Sequence, residues 1–99
     1  MEYCYLFRRE KSFSQLGNPQ IGGTLEDDER VFSEEMDMNL LLRMAMASEG
    51  DGWNWHTPTK SNDKSNFAFA MKEEDGKRYS IHLSWRKLPY LHQMGGEAS

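Results

Sequence analysis

An Asp-Gly pair at positions 75 and 76 stands between two stretches in which large apolar residues recur at every second position. Phe67, Phe69 and Met71 precede it, and Tyr79, Ile81, Leu83 and Trp85 follow. A period of two belongs to strands, and Asp-Gly between two such runs signals a hairpin turn. A β-hairpin over 67–85 follows, with two possible registers. A two-residue turn sets Phe69 opposite His82 and Phe67 opposite Ser84, leaving each face half apolar. A three-residue turn, Glu74-Asp75-Gly76 with Gly76 left-handed as a bulge, sets Phe69 against Ile81, Phe67 against Leu83, Met71 against Tyr79 and Glu73 against Lys77. One face then becomes wholly apolar, and the other, with Ala68, Ala70, Lys72, Arg78, Ser80, His82 and Ser84, polar or small. Register is set by that separation, so the bulged turn is predicted.

Tyr3 to Arg8 alternates aromatic residues with Cys4, Leu6 and Arg8 and reads as a strand. Arg9 to Thr24 reads as a long loop, because Gly17, Asn18, Pro19, Gly22 and Gly23 punctuate it. Arg30, Val31 and Phe32 suit a short strand or a first helical turn equally. Ser33 has the chemistry of a helix N-cap, and the acids after it complement the positive end of the macrodipole. The Leu, Met and Ala residues up to Ser48 are good helix formers, and Gly50 marks the stop. A helix of about 33–49 follows. Its apolar residues form two faces: Met38, Leu41, Leu42 and Ala45 on one, Met36, Leu40, Met44 and Ala47 on the other. The first lies on the hairpin. The second is either core, or a Met-rich docking surface that includes a homodimer seam. The fold class expected is α+β: a small antiparallel sheet, made of the N-terminal strand and the hairpin, packed on one main helix. A single domain spans 1–94, and 95–99 is a frayed tail.

With 99 residues the chain holds one modest core. Its 12% aromatic content argues against disorder. The one cysteine, Cys4, excludes an internal disulfide and fits a reducing cytoplasm. No stretch reaches the roughly 18 apolar residues of a membrane span. The net charge of −4 is unevenly spread. Glu26, Asp27, Asp28, Glu29, Glu34, Glu35 and Asp37 against Arg30 give −6 between positions 26 and 37, so the remainder sums to +2.

Catalytic chemistry finds little support. Cys4 lies among aromatics, where a thiol is an inert small hydrophobe. His56, His82 and His92 lack metal-ligand spacing, and the acids lack the pattern of a calcium loop. Ile21-Gly22-Gly23-Thr24 lacks the lysine of a phosphate loop. Consecutive surface acids do not supply the split pair of carboxyls that acid–base catalysis needs. The expectation is no catalytic site, no metal and no cofactor.

Two recognition features remain. The seven acids named above either form a solvated face or meet a basic groove on a partner, speeding association by steering. Trp53 and Trp55 are core residues, interface anchors, or a stacking platform. In size and acidity the chain is similar to the small single-domain proteins with which phages and mobile elements inhibit host defence enzymes. That likeness covers no specific residues. The expected function is a non-enzymatic inhibitor or binding protein that blocks a larger host protein with a basic surface through these acids, Trp53 and Trp55. The alternative is a nucleotide or single-stranded nucleic-acid binder using Trp53 and Trp55 with Lys60 and Lys64, against which the overall acidity argues.

Overall fold

The computed structural model describes residues 3–33, 37–56 and 64–89. Five strands form one antiparallel sheet: β1 (Tyr3–Gln15), β2 (Asn18–Phe32), β3 (Asn54–His56), β4 (Ser65–Glu74) and β5 (Lys77–Pro89). Their spatial order is β2-β1-β5-β4-β3. One helix, α1 (Met38–Ser48), lies across β4 and β5. The molecule measures 48 × 31 × 20 Å, its thinnest dimension matching one sheet plus one helix.

The fold class expected from sequence is therefore corrected. Of the described residues 70% are strand and 14% helix, and no helix is large enough to be a main packing element. The stretch expected as a loop, Arg9 to Thr24, is instead the distal part of a long β1–β2 hairpin turning at Leu16-Gly17, with Gly17 at φ +86°. Arg30 to Phe32 belongs to β2. The breakers sit where pairing is interrupted. The β1–β2 register slips between Lys11 and Ser12 and again between Ser14 and Gln15, leaving Leu25 and Pro19 to Ile21 as extra residues. Gly22 pairs with Ser14 so closely that a Cβ there would collide with the carbonyl oxygen of Phe13. β2 is an edge strand, where proline and charges are tolerated and block pairing with other chains.

The β4–β5 hairpin forms where expected, but the bulged register does not. Phe69 pairs with His82, Phe67 with Ser84, Ala68 with Leu83 and Ala70 with Ile81; Glu73 faces Arg78. Asp75 and Gly76 both have positive φ, +53° and +76°, closing a two-residue turn. The helix explains the choice. Ala68, Ala70, Ile81 and Leu83 are fully buried beneath Met38 and Leu42. Small alanines beside large aliphatics leave room for a helix layer, whereas the bulged register would have put Phe67 and Phe69 there.

The helix is shorter than expected. Its N-cap is Asp37, whose carboxylate accepts from the Leu40 amide at 3.0 Å, rather than Ser33. Glu34, Glu35 and Met36 lie outside the described residues, as does the predicted tail 95–99. Gly50, with φ +88°, ends the helix as expected. The face with Met38, Leu41, Leu42 and Ala45 meets the sheet; Leu40, Met44 and Ala47 on the other are exposed. Asn39 is half-buried in the first turn of the helix. Its side-chain oxygen accepts from Trp85 Nε1 and Asn66 Nδ2, each at 3.0 Å, tying the helix to β4 and β5.

Candidate interaction surface

Because α1 lies across β4 and β5, the same face of β1 and β2 is left open beside it among the described residues. A cleft of about 540 Å³ results. Phe7 of β1, Phe32 of β2 and Leu41, Met44 and Ala45 of α1 give it an apolar lining. Arg9, Asp28, Glu29 and Arg30 supply the charged rim. The volume suits one large side chain or a small ligand.

The acidic run is held there by strand pairing. Along the β1–β2 ladder Arg8 faces Glu29, Arg9 faces Asp28, Glu10 faces Asp27 and Lys11 faces Glu26. Opposite charges thus stand across from each other in three of the four pairs, but the ion pairs that form are the diagonal ones, Arg8 with Asp27 and Arg9 with Glu26. Glu26 accepts from Arg9 Nη1 at 2.8 Å. Asp27, on the opposite face, takes both Nε and Nη2 of Arg8 at 3.1 and 2.9 Å. That hydrogen-bonded guanidinium holds the Asp27 carboxyl below its ordinary range. Asp28 and Glu29 have no ion pair among the described residues.

Arg9 also reaches the end of the helix. Its Nε and Nη2 donate to the two carboxylate oxygens of Glu49 at 2.6 and 2.9 Å. The bidentate pair lowers the Glu49 pKa through hydrogen bonding, against the opposing effect of burial, and raises that of Arg9. Arg9 is consequently a fixed wall of the cleft, with its donors already engaged.

The structure places the described sequence-derived candidates in four places. Asp28 and Glu29 border the cleft, with Glu26 beside it on Arg9. Asp27 lies on the far face, and Asp37 is consumed as a helix cap. Trp53 and Trp55 line no part of the cleft; both are half-buried and packed against the core. Trp53 is flanked by the ammonium groups of Lys11 and Lys72, 5.6 and 4.8 Å from its ring centre. Lys60 lies outside the described residues, and Lys72, Lys77 and Lys87 each sit on an aromatic ring.

Sequence reasoning missed Phe7, Arg9, Arg30 and Phe32 as cleft residues. The signal that finds them is the antiparallel match of Arg8-Arg9-Glu10-Lys11 to Glu26-Asp27-Asp28-Glu29. Among the described residues no three His, Cys, Asp or Glu side chains gather as metal ligands, and no helix is long and apolar enough to cross a membrane. Compared with known proteins, the chain matches no family model, no curated protein and no solved structure.

Proposed function

We propose that this is a non-catalytic, cytoplasmic binding protein that occupies a basic segment of a larger protein, with the cleft between α1 and β2 seating an apolar side chain of that segment. The observation supporting this reading is the pairing of an apolar lining with two acids, Asp28 and Glu29, that have no ion pair among the described residues. Met44, 61% exposed at the mouth of the cleft, is the adaptable side chain such a seat uses. Binding of this kind inhibits by blockade, and small size and acidity are the features the chain shares with anti-defence inhibitors.

Selection from a random peptide library tests the reading. The enriched peptides carry an aromatic or aliphatic residue flanked by Lys or Arg. Asp28→Lys and Met44→Glu each weaken binding of such a peptide at least tenfold, and added salt slows its association. Peptides that bind both variants as tightly as the original protein would refute the proposal.

A further inference from the structure

The sheet face opposite α1 carries a second constellation, which shares Glu29 of the edge strand with the cleft. On β4 and β5 the residues facing away from the helix include Phe67, Phe69, His82, Ser84 and Arg86. The Phe67 and His82 rings stand 5.7 Å apart at 37°, and Phe69 lies 6.4 Å from the same imidazole. Phe67 is 48% exposed and His82 is exposed, so this aromatic shelf is open to a ring laid upon it. Immediately beside it is a hollow of about 250 Å³, lined by Leu6, Arg8, Glu29, Ser84 and Arg86. Ser84 joins the two, since it pairs across the strands with Phe67 and with Arg8.

We infer that this face binds a nucleoside monophosphate, its base stacked on Phe67 and His82 and its phosphate in the hollow between Arg8 and Arg86. The chemistry is that of each part. Aromatic side chains accept a nucleobase through its π face. Guanidinium groups match a phosphate with several parallel donors, and a serine hydroxyl adds another. Asp27 engages Nε and Nη2 of Arg8, which fixes the group while leaving Nη1 without a partner among the described residues. The side chain of Arg86 has no ion pair or hydrogen bond among the described residues. The surroundings limit the length of the ligand. Glu10 and Asp27 flank the site on one side, and Glu73 occupies the same face towards the β4–β5 turn. A continuous phosphate chain would run onto these carboxylates, whereas a single phosphate meets only Glu29, the one acid that lines the hollow.

Titration with adenosine 5′-monophosphate, followed by amide chemical shifts and calorimetry, tests the inference. The expected result is saturable binding that shifts Phe67, His82, Ser84 and Arg86. Adenosine alone and inorganic phosphate alone bind at least tenfold more weakly. Phe67→Ala and Arg86→Gln each weaken binding at least tenfold while the remaining spectrum stays folded. Glu29→Gln, which removes the one acid of the hollow, tightens it several-fold. No shift at millimolar nucleotide, or equal binding by Phe67→Ala and Arg86→Gln, would overturn the inference. So would a ten-nucleotide single strand that binds more than tenfold tighter than the monophosphate, because the site would then serve a polymer.

Discussion

Arg9 is the residue at which helix, central strand and edge strand meet. With Glu49 only 9% exposed and Arg9 22%, their bidentate bond is shielded from solvent. Glu49→Gln is expected to lower stability by about 2 kcal/mol, the scale of a hydrogen bond to a charged group; chemical denaturation measures it. The pH dependence follows from the depressed Glu49 carboxyl. A folded-state pKa below the unfolded one stabilises fully above the ordinary value of 4.5 and loses that contribution as pH falls through the folded value. Thermal melts from pH 6 downward should therefore show a loss of stability beginning near pH 4.5, and Glu49→Gln should flatten that slope. Gly22 is a second single-residue constraint, imposed by sterics alone. Gly22→Ala must push β2 away from Phe13 and should cost about 1–3 kcal/mol, as overpacking does; Gly23→Ala, with nothing near its Cβ, should cost less. The same melts compare the two.

The elements differ in how openly the chain announces them. The β4–β5 hairpin and the helix are legible because their signals are local: Asp75-Gly76 between alternating runs, and an apolar stripe ended by Gly50. The hairpin register misleads because the pattern of its own faces argues for one pairing, whereas the helix above it selects the alanine face. That information is tertiary. The β1–β2 hairpin is hidden for a different reason. Its strands are held by charge pairs instead of apolar alternation, and its glycines and proline mark bulges in a strand that resemble the breaks of a loop. The cleft inherits that illegibility, since two of the three elements that line it are β1 and β2. Two substitutions separate the helix start observed from that suggested by sequence. Asp37→Ala should cost about 1 kcal/mol, and Ser33→Ala close to nothing, in thermal melts. Gly76→Ala should cost about 1 kcal/mol, because its φ of +76° strains any side chain.

The described residues form a two-layer body with a helix over only half of one sheet face. Both proposed surfaces arise from that incompleteness: the cleft beside the helix and the aromatic shelf on the reverse. Everything rests on β2 being the paired outer strand that carries the acids, because an acidic loop would make neither a cleft wall nor a fixed Arg8. Cross-strand nuclear Overhauser contacts in the isotopically labelled protein test this most directly. Contacts linking Arg8 with Glu29, Arg9 with Asp28 and Lys11 with Glu26, together with slow amide exchange along the centre of β1, are the predicted result. Random-coil shifts and fast exchange from residue 9 to residue 29 would contradict it.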